Sequence, residues 1–465
     1  MKTIAAASAG AGIASVPRSA IVGWILFDAA SQPFFTLVTT FVFAPYFAAH
    51  LAATPVEGQA LWGYAVGIAG VIIAIFSPVL GSIADATGPR KPWIAVFSLL
   101  LVLGSAALWF AGPQNPQAIP LALVAFGIAT IGAEFAAVFN NSMMPDLVPA
   151  SQIGRLSGAG WAVGYVGGLV SLLVVLGLLA SVPGTGETYF GLPPLFGLDP
   201  STFEGTRAVG PFTALWCVAL IWPLFLFTPD APHRMKLRLA VRKGLSELRQ
   251  TLMRLGDHSN ATRFLIANMT YTDGLIALTV FGGIYAAGTF SWSATEMGVF
   301  GIVLTVTGTI GALVGGKLDD TFGPKAVLFG AITLLTVAAI GILSVDADHV
   351  AWIIPVSPPV AGDGLFSSTP ERAYIALGGL IGAAAGPLWA ASRSLLCRVA
   401  PRDHMTQFFG LFALAGKATS FVGPLLVAGV TSLSGNQRIG ISVLILFFIV
   451  GGAVLAGVKS ERPDA

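Results

Sequence analysis

A short charged loop occurs twice in this chain of 465 residues, and it limits the possible folds more than any other feature. Gly81, Asp85, Gly88, Arg90 and Lys91 lie in GSIADATGPRK; Gly316, Asp320, Gly323 and Lys325 lie in GKLDDTFGPK. In both copies an Asp follows the first Gly by four positions, a second Gly follows by three, and a base stands two further on. Each copy joins two long apolar segments. A second match has the same character, since the spacing of Pro149, Gly158 and Gly164 returns in Pro401, Gly410 and Gly416. The second half of the chain therefore repeats the first. A duplicated membrane unit predicts two bundles that rock against each other around a central site, and hence solute movement.

Composition agrees with a membrane setting. Hydrophobic residues make up 55% and charged residues 10% of the chain, against about 25% charged in soluble domains. The 56 glycines suit close helix contact in lipid, where small residues let backbones meet. A net charge of +2 is too small to suggest a nucleic-acid partner. Cys217 and Cys397 lie far apart in apolar stretches, as inert helix residues with no disulfide framework. No leader-like apolar run precedes the first long segment, so no cleaved leader is expected.

A spanning helix needs about 20 mostly apolar residues. Twelve segments qualify, near 20–50, 60–84, 92–112, 118–144, 154–181, 208–228, 262–289, 295–317, 326–345, 372–396, 405–433 and 439–457. Alternate connections hold Arg90, Lys91, Arg155, the block from Arg234 to Arg263, Lys325, Arg398, Arg402 and Lys459. The opposite connections are poor in bases and carry acids such as Glu57, Glu187, Asp346 and Asp348. Because Lys and Arg mark the inner side, both termini are expected in the cytoplasm and the chain in a bacterial-type inner membrane. The expected fold is an all-α membrane protein of twelve helices in two six-helix pseudo-repeats. Its parts are a tail at 1–19, a first half at 20–228, a basic linker at 229–260, a second half at 261–458 and a tail at 459–465. The linker mixes Arg238, Arg242, Lys243 and Arg249 with Leu237, Leu239, Leu245 and Leu248. It reads as an amphipathic helix on anionic lipid, or equally as a basic connection that follows the charge rule.

The duplicated loop, the twelve segments and the basic linker resemble the major facilitator superfamily. Four stretches narrow the resemblance: WILFDAASQPFFTLVTTFVFAPYF, NNSMMPDLVP with SGAGWAVGYVGG, NMTYTDG, and ASRSLL with QFFGLFALAGKATSFVGPL. Together they are similar to the "unknown major facilitator" family, kin to fungal vacuolar amino-acid effluxers. The resemblance implies that helices 1, 4, 7 and 10 line a central cavity, and that helix pairs 2/11 and 5/8 cross between halves.

Charges inside a bilayer are costly, and each is a functional hypothesis. Asp28, Glu134, Asp273, Arg393 and Lys417 fall well inside helices 1, 4, 7, 10 and 11. Three acids against two bases leave one carboxyl for a proton, an inorganic cation or a cationic ligand group. Glu134, flanked by Ile131, Gly132, Ala133, Phe135 and Ala136, is the expected proton carrier. The plainer alternatives are a Glu134–Lys417 ion pair, an Arg393 pair with a carboxyl, and Asp28 or Asp273 capping a broken turn. Asn141, Tyr271 and Trp389 are candidate walls of a solute site. A cavity with both signs of charge suits a zwitterion such as an amino acid. No cofactor or metal site is expected, and the partners are a small solute and lipid, with the chain acting as a monomer.

The loops are candidates for a cytoplasmic gate. Asp85 can accept from the open amides at the start of helix 11, near His404 to Thr406, and Arg90 can pair with Asp146 at the end of helix 4. The second loop should close more weakly, because a base, Arg398, stands where the repeat places Asp146. No metalloenzyme, nucleotide or nucleophile motif supports an enzyme. Two rival readings are a proton-coupled exporter of drug-like or cationic compounds and a non-transporting sensor or lipid-handling protein on the same fold.

Overall fold

With no water in the hydrocarbon core, so apolar a chain must satisfy its backbone within each segment, and helices do this. The computed structural model describes residues 16–459 apart from 183–184, 254–255, 257–258, 291, 293 and 358–364. The terminal stretches 1–15 and 460–465, and Arg254 of the linker, lie outside the described residues. Among the described residues, twelve helices are long and apolar enough to cross a bilayer. Helices 1 to 6 are Arg18–Leu51, Glu57–Thr87, Lys91–Phe110, Ala118–Leu147, Ala150–Leu179 and Glu204–Phe227. Helices 7 to 12 are Ser259–Gly283, Glu296–Phe322, Pro324–Leu343, Thr369–Val399, Arg402–Ser434 and Gln437–Ala456.

Helices 1 and 11 depart from regular α-helix within their spans. Pro33 removes a backbone donor from helix 1, and Phe34–Phe41 winds on as wider π-type turns. The Thr39 and Thr40 hydroxyls satisfy the Phe34 and Phe35 carbonyls there. Helix 11 is built from Met405–Ala418 and Val422–Ser434, with an interruption at Thr419 to Phe421.

The two bundles meet at one end, and toward the other end helices 2 and 11 part while Phe41 of helix 1 still lies against Gly301 of helix 8. The meeting end gathers Arg90, Lys91, Arg155, Lys325 and Arg398, and is called the basic end below. Here helix 2 crosses helix 11: Gly81 lies against the Thr406 backbone and Gly410 against Ser77 and Pro78. Helix 5 likewise crosses helix 8, with Gly158 against the Ala312 carbonyl and Gly316. A Cβ at Gly158 would press on backbone, which cannot swing aside, so the crossing tolerates no larger residue.

The glycines along this face of helix 2 pack only in part. Gly63, Gly67 and Gly70 share a face with Ser77 and Gly81, yet nothing lies within 4 Å of a Cβ at any of the three. Gly416 on helix 11 is equally open. Helices 2 and 11 diverge above their crossing, so these glycines face the opening between them. Gly67→Trp is therefore expected to fold with an unchanged thermal midpoint but to stop transport, because the indole obstructs closure of the far end. A transport rate near wild type would count against this placement.

The linker forms a helix at Leu237–Met253. It docks on helix 2 rather than standing free: Gly244 lies against Ser82 and Ile83, and Ala240 packs with Ile83 and Ala86. Leu237, Leu239 and Leu245 remain exposed. Upstream, Asp230 accepts from the Arg90 and Lys91 amides at 2.8 and 3.0 Å, capping helix 3.

Candidate functional site

Arg393 is the hub of the interior charges. From helix 10 it reaches into the first half of the chain, where Nη1 donates to Asp28 of helix 1 at 3.1 Å and to Asn141 of helix 4 at 3.0 Å. Nε and Nη2 donate to the hydroxyl and carbonyl of Ser157 on helix 5 at 3.1 and 2.8 Å. The guanidinium also lies over the rings of Trp24 and Trp161, a favourable setting for a weakly hydrated cation. Gly160 permits this assembly, since a Cβ there would strike Asp28 Oδ2 and Arg393 Nη2. Trp161 stacks on Trp389 at 5.8 Å, so an aromatic pair also bridges helices 5 and 10.

The sequence reading singled out Asp28, Asn141, Arg393 and Trp389, and the structure brings them together. It missed Trp24, Ser157 and Trp161. An aromatic residue inside the glycine-rich run of helix 5 was the available signal for Trp161.

Glu134 of helix 4 and Lys417 of helix 11 form an ion pair at 2.7 Å, again between the two halves of the chain. Their side chains keep 23% and 33% exposure, and Asp28 keeps 17%. Glu134, the expected proton carrier, thus has an ammonium partner and partial exposure, the ion pair that was its plainer alternative. Tyr271 is reassigned. It is fully buried, hydrogen-bonded through its hydroxyl to Ser392 at 2.8 Å and backed by Gly451 of helix 12, so it braces helices instead of lining a cavity. Asp273 does not share the place of Asp28. It is 2% exposed, and its Oδ1 has no hydrogen-bond partner among the described residues.

At the basic end both loops form clasps. Asp85 accepts from the amides of Thr406 and Gln407 at 3.1 and 2.8 Å, at the positive start of helix 11. Arg90 pairs with Asp146 at 2.7 Å and reaches the Thr406 hydroxyl, which also meets Ser142. In the second loop Asp320 accepts from the amides of Gly154 and Arg155 at 3.0 and 3.3 Å, and pairs with the Arg155 guanidinium at 2.5 Å. The neighbouring Asp319 pairs with Arg398 at 2.8 Å.

The second clasp is therefore formed as well, although a base, Arg398, stands at the position that repeats Asp146. Its charges are exchanged: the loop supplies the acid and the end of helix 10 the base, the reverse of Arg90 with Asp146. Lys325 is corrected. It occupies the sequence position of Arg90 but donates to the carbonyls of Ala456 and Val458, ending helix 12 as Lys91 ends helix 6 through Phe225. Gly88 and Gly323 turn both loops with φ of +101° and +84°, a region that favours glycine.

The far end has its own polar contact. Arg438 bonds Asp346 at 2.6 Å and the Tyr285 hydroxyl at 2.9 Å. Partial burial pushes the Asp346 carboxyl upward, but Arg438 and the amides of Asp348 and His349 outweigh it and hold the group below its usual range.

The family model described as "Vacuole effluxer Atg22 like" matches residues 48–464. An uncharacterized MFS-type transporter, YxiO, of Bacillus subtilis is 24% identical over 444 residues, covering 94% of each chain. Autophagy-related protein 22 of Cryptococcus neoformans is 27% identical over 316 residues, 66% of this chain and 51% of that one. The chain thus spans about half the length of this fungal relative. Among solved structures, the major facilitator transporter FucP in the outward conformation superposes with a TM-score of 0.71 at 15% identity, covering 96% of this chain and 98% of that one. A bacterial homologue of the iron transporter ferroportin in an outward-facing state gives 0.63 at 13% identity, covering 94% and 98%. The structural likenesses show the fold.

Proposed function

The chain belongs to the Atg22-like vacuole effluxer family of major facilitator transporters, and from that premise we propose that it exports a small zwitterion of the amino-acid class by proton-coupled alternating access. One observation carries the reading. Two ion pairs, Asp28–Arg393 and Glu134–Lys417, join the halves and keep partial exposure at the opening. Each contains a site for a carboxylate and a site for an ammonium. A zwitterion that takes one partner of each pair replaces contacts between halves with contacts to itself. Such a ligand interacts differently with the two states, as it must to shift their balance.

The Lys and Arg pattern supports a cytoplasmic position for the basic end and both termini, in a plasma membrane. On that reading the present state is open to the outside and clasped toward the cytoplasm. The linker helix presents its bases and exposed leucines to anionic lipid at that surface. A single chain supplies both halves of the path.

The test is uptake of labelled leucine, lysine and glutamate by proteoliposomes of the full chain, with and without a pH gradient, alongside thermal-shift screening. Binding and gradient-driven movement of one of these classes is the expected result. If none of them binds or moves while a lipophilic cation does, export of drug-like cations replaces this reading.

A further inference from the structure

The surplus acid of the interior can be identified by elimination. Arg393 holds Asp28, and Lys417 holds Glu134. The other carboxyls that are fully buried among the described residues are also engaged. Asp85 takes two amides, Asp319 takes Arg398, and Glu371 takes the Trp292 indole and Ser368. Among these described carboxyls, Asp273 alone is left with neither a charged partner nor an amide or indole donor.

Its surroundings offer little substitute. Thr419, in the interruption of helix 11, is the polar side chain acting on the carboxyl, yet Asp273 Oδ1 and Thr419 Oγ1 are both buried without a hydrogen-bond partner. Apart from Arg402, Asp403 and His404 at the basic-end start of helix 11, the charged groups on the helices packed against helix 7 are committed elsewhere. Lys417 of helix 11 goes to Glu134. On helix 10, Arg393 and Arg398 go to Asp28 and Asp319, and Arg372 to the Phe366 carbonyl. Arg438 of helix 12 goes to Asp346, and Lys325 of helix 9 to Ala456 and Val458.

An ionised carboxyl buried with an empty acceptor is costly. A bound proton removes the charge that no cation in contact offsets. Position completes the argument. The lower piece of helix 11 is held at its start by Asp85, while the upper piece rests on helix 7, with Gly423 against the Asp273 carbonyl. The interruption between the pieces is where a hinge between clasp and far end must bend.

We propose that Asp273, at the break in helix 11, is the carboxyl that binds the coupling proton. This rests on the proton-coupled reading above, and the experiment separates the two. Infrared difference spectra of the full chain in lipid, titrated with pH, report the C=O band of a protonated carboxyl. The band is expected in wild type and in Glu134→Gln, and absent in Asp273→Asn. If Asp273→Asn does not fold, Asp273→Glu is expected to fold and to shift the band. In proteoliposomes the pH-gradient response of leucine, lysine or glutamate uptake is expected to be lost in Asp273→Asn.

A band that vanishes in Glu134→Gln and survives in Asp273→Asn overturns the assignment while leaving proton coupling in place. Wild-type uptake indifferent to a pH gradient but driven by Na⁺ overturns the coupling reading and this inference with it.

Discussion

Arg393→Gln is expected to abolish transport and lower the thermal midpoint, more than a substitution at any other interior charge. The guanidinium joins helix 10 to helices 1, 4 and 5 at once, through Asp28, Asn141 and Ser157. Removing it leaves Asp28 without its cation in a largely dry setting, and breaking a buried pair on one side costs about 3–5 kcal/mol. Asp28→Asn in the same background removes the stranded charge. Stability is therefore expected to recover in the double variant while transport does not. Arg393→Lys keeps the charge but loses the fork of donors that reaches three helices, so it should fold better than Arg393→Gln and still transport poorly. The measurements are thermal unfolding in detergent and uptake into proteoliposomes. Uptake by Arg393→Gln close to wild type would remove this residue from the site.

The second large effect concerns the paired clasps. Because Asp85 and Asp320 each accept two helix-start amides, neither loop should hold the basic end alone. Loss of a helix cap of this kind costs about 0.5–2 kcal/mol, enough to shift a closed population without emptying it. Asp85→Asn and Asp320→Asn are each expected to give a modest increase in opening, and the two together a large one. The reporter is a Ser77→Cys side chain. Ser77 is 1% exposed and sits between helices 2 and 11, and the native cysteines Cys217 and Cys397 are themselves buried. Labelling by a thiol reagent should be slow in the parent and in each single variant, and fast in the double. Full labelling of Asp85→Asn, with none for Asp320→Asn, would restore the view that the first loop alone does the closing.

Which features were readable from residue order follows from the range of the forces involved. The twelve spans and the duplication were legible because hydrophobicity and helix length are local properties read against a bilayer of fixed thickness. The contact of Asp85 with the start of helix 11 was also open to sequence reasoning, since an acid at a loop and an unsatisfied helix start call for each other. The partners of the second clasp escaped sequence reading for an instructive reason. Matching by sequence spacing sets Lys325 on Arg90 and sees only a lost acid at Arg398. In space, Asp319 turns to Arg398 and the exchanged charges close the same gap.

Glu134, Tyr271 and Asp273 show the other limit. All three are polar residues in apolar segments, and composition cannot rank them. Their difference lies in what stands opposite. Lys417 faces Glu134 from the other half of the chain, Ser392 faces Tyr271 from helix 10, and among the described residues no charged group takes Asp273.

The sequence by itself thus determined a two-half helical membrane protein with a repeated charged loop and one more interior acid than base. Those properties depend on the identity and order of residues along single segments. Only the tertiary structure decided that both loops clasp, that helices 2 and 11 part above their crossing, and that Asp273 is the acid left without a charged partner. Burial and pairing are set by which helices meet, and a charge in low dielectric is defined by its neighbours across that meeting more than by those beside it in the chain.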